Sequence, residues 1–131
     1  MKEPLWIDER DAVALHGRLL ALDGGSAGIR SRALLQSALA RPRQLYAYGE
    51  APAILDLAVA YAAGIIRNHP FIDGNKRTGF LIAVLFLEMN GYRFTATEEN
   101  AAQMILALAG GEIDEAAFAS WLRANATSPG R

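Results

Sequence analysis

The chain has 131 residues, 52% of them apolar, and a formal net charge of −1, which describes a globular domain with one core rather than a disordered chain. The balanced charge excludes a global attraction to nucleic acid or anionic lipid, and the lack of cysteine excludes disulfides and thiolate metal sites. Without a secretory leader or an apolar run of the roughly 20 residues that span a membrane, we expect a cytoplasmic protein with no membrane or direct nucleic-acid partner.

Strand patterns are nearly absent, and the apolar periodicity predicts six helices. The first begins after the N-cap candidate Asp8 and ends at the pair Gly24-Gly25. His16 flanks the apolar stripe of this helix, which predicts a surface histidine. The second helix is expected over residues 31–41, because Pro42 should stop it.

The next two helices differ from the others in their apolar content. After an irregular loop expected over residues 43–52, helices three and four cover about 53–68 and 75–90. Both carry apolar residues on nearly all sides, which predicts that both are buried on nearly all sides. They should form a central hairpin, and residues 69–74 are its connection.

The remainder of the chain returns to amphipathic helices. Residues 92–94 are a candidate extended piece, Thr97 is expected to cap helix five, and helix six is expected over 114–125. The sequence therefore predicts an all-α domain over residues 1–126, in which four amphipathic helices surround the hydrophobic hairpin. A polar tail, 127–131, follows.

Reactive side chains concentrate in the connection of the hairpin. Residues 69–80 read His-Pro-Phe-Ile-Asp-Gly-Asn-Lys-Arg-Thr-Gly-Phe. The neutral imidazole of His69 can take a proton from a hydroxyl, and Asp73 offers an oxygen ligand suited to Mg²⁺. Gly74 lets the backbone approach a ligand closely, and N–H groups at a helix start bind phosphate.

Two cations and an amide follow directly. Lys76 and Arg77 stand in the first turn of helix four, where positive charge opposes the helix dipole unless an anion binds between them. Asn75 can cap the helix or donate its amide to a phosphate oxygen. Each residue alone is ordinary for a turn, but together they indicate a phosphate site. A transition-metal site of His69 and Asp73 is an alternative that lacks a second histidine at ligand spacing.

The run 69–77 resembles the signature of the Fic/Doc (Fido) superfamily, and the helix order and loop position match that six-helix fold. Fic enzymes of this superfamily transfer AMP from ATP to a protein hydroxyl, whereas the Doc toxins of toxin–antitoxin modules phosphorylate a threonine. The Fic motif has a glycine after the asparagine and a second arginine three residues beyond the first. This chain has Lys76 and Phe80 at those places, which favours the Doc branch.

The resemblance implies a role for each residue of the loop. His69 would activate a target threonine, and Asp73 would hold Mg²⁺ on the phosphates of ATP. The γ-phosphate would pass to a threonine of elongation factor Tu or a similar translation factor, which would inhibit translation. The residues expected to be catalytic are His69, Asp73, Asn75, Lys76 and Arg77, and those expected to hold the nucleotide are Gly74, Asn75, Lys76 and Arg77.

The resemblance also implies a partner, an antitoxin whose C-terminal segment folds against the toxin and blocks the site. The loop 43–52, with Tyr46 and Tyr48 as anchors, is its expected landing surface. Two alternatives stay open. One is a Fic-type AMP transferase, because Pro70 and Gly74 are equally compatible with the motif of that branch. The other is a binding module that keeps the fold without catalysis.

Overall fold

The structure, a computed structural model, describes residues 3–50 and 52–128, and these form six helices and one two-stranded sheet. The helices are α1 (Glu9–Asp23), α2 (Arg32–Tyr48), α3 (Ile54–Asn68), α4 (Asn75–Met89), α5 (Glu98–Ala109) and α6 (Glu115–Ala124), and the strands are β1 (Arg93–Phe94) and β2 (Ala126–Thr127). The predicted all-α fold is confirmed. None of the helices in these ranges has the length and apolar content that a membrane crossing requires.

Side-chain caps begin several of the helices, as predicted for Asp8 and Thr97. Asp8, Thr97 and Asp114 each accept a hydrogen bond from the backbone N–H three residues later, at 2.9, 3.1 and 2.8 Å. Each cap satisfies one of the N–H groups that lack a partner inside the helix. α4 is different, because its N-cap is Gly74 and no side chain caps it. The first N–H groups of α4 are thus left open to another acceptor.

α3 and α4 form the buried hairpin that the sequence predicted. Two glycines let the helices approach closely at this centre. A Cβ on Gly79 of α4 would lie 3.1 Å from the carbonyl oxygen of Ala62 in α3, and one on Gly64 of α3 would lie 3.2 Å from that of Ala38 in α2. Large side chains fill the rest of the core, and the bulkiest fully buried ones are Tyr61, Phe71, Phe86 and Phe118.

Pro42 does not end the second helix, and that prediction was wrong. α2 continues to Tyr48 with Pro42 buried inside it. Proline cannot donate to the carbonyl four residues earlier, which belongs to Ala38, and that oxygen faces Gly64 instead. Burial of α2 against α3 therefore outweighs the local preference of proline, and residues 43–48 are helical rather than an irregular loop.

The N-terminal segment packs across α2, α3 and α4. The Trp6 ring lies 5.5 Å from that of Tyr46 and 5.9 Å from that of Phe86. The Tyr61 hydroxyl accepts from the Ile7 N–H at 3.0 Å and donates to the Ile7 carbonyl at 3.2 Å. Tyr46 is consequently part of the packed structure, and it is not the free anchor that the sequence suggested.

The two short strands pair the residues that follow α6 with the residues that follow the hairpin. Arg93 pairs with Thr127, and Phe94 pairs with Ala126, in an antiparallel ladder. The extended piece expected at 92–94 is confirmed as β1. Of the polar tail expected over 127–131, Thr127 lies in this ladder, and residues 129–131 lie outside the described residues.

Candidate active site

His69 occupies an unusual backbone conformation at the end of α3. Its φ and ψ are both 52°, in the left-handed region, and no other non-glycine residue in the described ranges has a positive φ. This conformation costs about 1–2 kcal/mol for a residue with a Cβ, so neighbouring contacts must hold it. Its side chain is exposed, so the imidazole is accessible to a molecule bound at this surface.

Arg30 holds the His69 turn from the connection between α1 and α2. Its Nε donates to the carbonyl of His69 at 2.7 Å, and its Nη2 donates to the carbonyl of Asn68 at 2.8 Å. The backbone N–H groups of Arg30 and Ser31 both donate to the Pro70 carbonyl, at 2.7 and 3.0 Å. A guanidinium at these carbonyls also complements the negative end of the α3 dipole. No local pattern in the sequence indicated this role.

Asn75 closes the loop from inside. Its side-chain amide accepts from the Phe71 N–H and donates to the Phe71 carbonyl, both at 2.9 Å. Asn75 is buried, at 3% exposure. Its side chain is thus committed within the loop rather than free to reach a phosphate oxygen, and only its backbone N–H is open to a ligand at the helix start.

The loop and α1 enclose a pocket of about 340 Å³. All six residues that the sequence singled out for the site line it, and so do four residues at the end of α1 that the sequence analysis did not single out. The lining residues are Leu19, Leu20, Asp23, Gly24, His69, Asp73, Gly74, Asn75, Lys76 and Arg77.

The charges of the pocket are arranged around the N-terminus of α4. Gly74, with a φ of 77°, turns the chain so that the helix begins at the pocket with its N–H groups open. Lys76 and Arg77 are exposed beside them. Arg77 forms an ion pair with Asp23 at the end of α1. The pocket therefore offers an anion site whose arginine is held by a carboxylate of the protein.

Asp73 directly precedes Gly74, the N-cap of α4, in the chain. Its Oδ1 accepts from the Gly74 N–H at 2.9 Å, and its Oδ2 lies 3.3 Å from the Ser26 nitrogen. A Cβ on Gly25 would lie only 3.0 Å from Oδ2, so the glycines after α1 allow the chain to pass close to the carboxylate.

The donor set of this pocket fits Mg²⁺ rather than a metal with several protein ligands. No group of three or more histidine, aspartate or glutamate side chains within residues 3–50 and 52–128 is placed to share a metal ion. Mg²⁺ needs only one or two carboxylates when phosphate and water complete its shell. The pocket has two carboxylates, and because Asp23 pairs with Arg77, Asp73 is the one that would hold the ion.

His16 corrects the prediction of a surface histidine. It is 4% exposed, its ring stacks on that of Phe71 at 3.9 Å and 9°, and its Nε2 lies 2.8 Å from the carbonyl oxygen of Asp73. The face of α1 that carries His16 is buried because the loop of the hairpin lies across it. The four-residue spacing of Ala12, His16 and Leu20 was the available signal, since such residues share a helix face.

The sequence profile of the Fic/DOC family matches residues 6–87, which is more than half of the chain and includes the whole pocket. The chain belongs to the Fic/DOC family. This Fic/DOC chain is 30% identical over 117 residues to a protein of Escherichia phage P1 named protein kinase doc, covering 89% of this chain and 92% of the relative.

A second relative is the toxin Doc of Mycolicibacterium smegmatis. The identity is 39% over 74 residues, which is 56% of this chain and 57% of that relative, so the match spans little more than half of the relative's length. Both relatives carry the name Doc. The predicted resemblance of this Fic/DOC protein to the Doc type is confirmed.

Proposed function

We propose that this protein is a Doc-type toxin that transfers the γ-phosphate of ATP to a threonine hydroxyl of a translation factor such as elongation factor Tu. One observation carries the proposal. An exposed histidine, a carboxylate and an uncapped helix N-terminus with two cations line a single pocket. A base, a phosphate cradle and a metal-binding carboxylate are the parts that phosphoryl transfer requires.

In this proposal His69 acts as the general base. As the threonine oxygen bonds to the γ-phosphorus, the imidazole takes the hydroxyl proton, and the bond from phosphorus to the β–γ bridging oxygen breaks to leave ADP. The open N–H groups of α4, Lys76 and Arg77 bind phosphate oxygens. Asp73 would hold Mg²⁺, which when bound neutralises part of the phosphate charge.

The Arg77–Asp23 pair is compatible with phosphate binding. The two side chains are 58% and 45% exposed, and a pair this accessible to water contributes only about 0–1 kcal/mol. A phosphate that also meets the helix N–H groups offers Arg77 a stronger partner. Arg77 can therefore leave Asp23 when the nucleotide enters.

Phe80 supports transfer of phosphate over transfer of AMP. In Fic enzymes, as the resemblance implies, this position holds a second arginine. Here the ring packs 5.6 Å from that of Phe94 and 6.5 Å from that of Trp121, and it does not line the pocket. Phosphates deeper in the pocket thus lack a cation at this position, whereas Lys76 adds one beside the helix start. The phage P1 relative is named a protein kinase.

The test uses ATP labelled separately at the α and the γ position, with purified elongation factor Tu and a cell lysate as acceptors. We expect label on protein only from the γ position. His69→Asn should reduce transfer by about 10²-fold or more, because it removes the base. Asparagine tolerates the left-handed backbone, so the melting temperature should stay close to that of wild type.

Gln103→Ala, on the exposed face of α5, is the matched control and should transfer phosphate normally. Label retained only from the α position would replace this proposal with AMP transfer. If neither label is transferred and expression of His69→Asn arrests growth as fully as wild type, the protein is a binding module instead.

An antitoxin partner belongs to the same proposal and rests on the family resemblance. Of the two tyrosines considered as its anchors, Tyr48 is 87% exposed at the end of α2, whereas Tyr46 packs on Trp6. Tyr48 and the neighbouring Leu45, which is 37% exposed, are therefore large apolar side chains of the expected landing surface that are open to a partner.

A further inference from the structure

We infer that His16 is a positioning residue of the phosphate site: it holds the peptide between Asp73 and Gly74 so that the start of α4 and the Asp73 carboxylate both face the pocket. The inference rests on the proposed function for the identity of the ligand. It rests on the contacts of a buried imidazole for everything else.

The first contact is polar and directional. The His16 Nε2 lies 2.8 Å from the Asp73 carbonyl oxygen. A carbonyl oxygen can only accept, so Nε2 must carry the proton that is shared between them. The bond ties α1 to the backbone of the motif, not to a side chain. It therefore fixes the direction of the peptide plane that leads into Gly74.

The second contact is the stack of the imidazole on Phe71. The rings are 3.9 Å apart and 9° from parallel, and both side chains are buried. Phe71 is in turn bonded through its backbone to Asn75. The imidazole thus holds both limbs of the loop, one through a ring and one through a hydrogen bond.

The position of the contact explains its consequence for ligand binding. Gly74 is the N-cap of α4, and a Cβ on it would lie 3.7 Å from the His16 Nε2. Because the Asp73 carbonyl is held towards α1, the Asp73 carboxylate and the N–H groups of residues 75–77 are placed at the pocket. If this peptide rotated, the metal ligand and the phosphate cradle would both move, whereas His69 is held separately by Arg30.

Two variants separate the contacts. His16→Phe keeps a ring that can stack on Phe71 but loses the donor to Asp73, and His16→Gln keeps a donor but loses the ring. Arg18→Ala, on the exposed side of the same helix, is the matched control. For each variant, the dissociation constant of magnesium with a non-hydrolysable ATP analogue is measured by calorimetry, and KM for ATP and kcat are measured in the transfer assay.

We expect His16→Phe to weaken binding of the analogue and to raise KM for ATP by about tenfold, the effect of losing one hydrogen bond of about 1.4 kcal/mol. The change in kcat should be smaller, because His69 stays in place. His16→Gln should recover most of the affinity. A variant that had only lost packing would show a lower melting temperature with an unchanged KM.

Nuclear magnetic resonance supplies a readout that needs no nucleotide. In wild type we expect a slowly exchanging imidazole N–H on Nε2 of His16, and in His16→Phe we expect displaced amide signals from residues 74–77. Wild-type affinity and unmoved amide signals in a folded His16→Phe would overturn the inference. Failure of wild type to bind the analogue would overturn the proposed function instead, while the amide signals would still decide the role of His16. If His16→Phe does not fold, His16→Gln is compared with wild type, and a missing Nε2 proton in wild type would overturn the inference.

Discussion

Charge at the pocket is balanced residue by residue. Lys76 and Arg77 bring two positive charges to the lining, and Asp23 and Asp73 bring two negative ones. The pocket therefore has no excess positive charge, and in the proposed function the directed N–H groups at the start of α4 supply the preference for phosphate. Binding of Mg²⁺ to Asp73 would shift this balance in favour of phosphate.

Asp23→Asn tests the balance. Removing this carboxylate frees Arg77 and removes a negative charge from the pocket. We therefore expect the affinity for magnesium and a non-hydrolysable ATP analogue to rise by up to about fivefold, which corresponds to the free energy of one exposed ion pair. Calorimetry measures the change, and Glu112→Gln, on an exposed turn outside the pocket, is the control. A large loss of affinity would mean that Asp23 orients Arg77 for the ligand rather than competing with it.

At the scale of elements, the site depends on how closely the helices of the hairpin approach each other. The loop that carries His69 and Asp73 spans the ends of α3 and α4, so the spacing of these helices determines where the loop residues lie. Gly79 makes that spacing possible, because a Cβ there would lie 3.1 Å from the Ala62 carbonyl and 3.3 Å from the Ile65 Cβ. Rigid backbone and a branched side chain cannot move aside at low cost.

The same substitution at two glycines should have opposite effects. Gly79→Ala should lower the free energy of unfolding by about 1–3 kcal/mol, because it overpacks the hairpin. Gly17→Ala, in α1, meets no atom within 4 Å and should raise stability by up to about 1 kcal/mol through helix propensity. Urea unfolding measures both. Equal stability of Gly79→Ala and wild type would show that the hairpin can separate without cost.

Across the whole molecule, the N-terminal segment secures the end of the hairpin that lies far from the site. The Asn90 side chain, at the end of α4, accepts from the Leu5 N–H at 2.8 Å and donates to the Leu5 carbonyl at 3.1 Å. Tyr61 makes the matching pair of bonds to Ile7. Burial raises the pKa of the Tyr61 hydroxyl above its usual value, since the interior disfavours the phenolate.

The raised pKa of Tyr61 predicts how stability changes at high pH. The folded state retains this proton more tightly than the unfolded state does. The stabilisation is therefore complete below the ordinary tyrosine pKa of about 10 and is lost as the pH rises through the folded-state value. Tyr61→Phe should remove this alkaline loss. At pH 7 it should cost about 1–3 kcal/mol, because the Ile7 N–H and carbonyl lose their partner.

Urea unfolding of both proteins between about pH 7 and 11, across the ordinary tyrosine pKa, checks this prediction. Nucleotide affinity at pH 7 should be unchanged in Tyr61→Phe, since Tyr61 does not line the pocket. If the free energy of unfolding falls with pH in the same way for both proteins, another group causes the loss of stability at high pH.

Most of the helix boundaries were predictable because their signals are local. The caps Asp8, Thr97 and Asp114 act on N–H groups three residues away, and Gly91, with a φ of 90°, ends the hairpin as a C′ glycine does. Pro42 misled the prediction because its local cost is real. The burial that outweighs this cost involves α3, which lies further along the chain.

The sequence by itself determined the six helices, the buried hairpin and the chemical groups of the loop, because capping, periodicity and residue spacing act over a few neighbouring residues. Only the tertiary structure decided which partners those groups have. Arg30 on the His69 turn, His16 beneath Asp73, Asp23 on Arg77 and the inward use of the Asn75 amide appear only once the loop is in place. All but the Asn75 contact join residues far apart in the chain, and a hydrogen bond or ion pair forms only where packing brings its two atoms within a few ångströms.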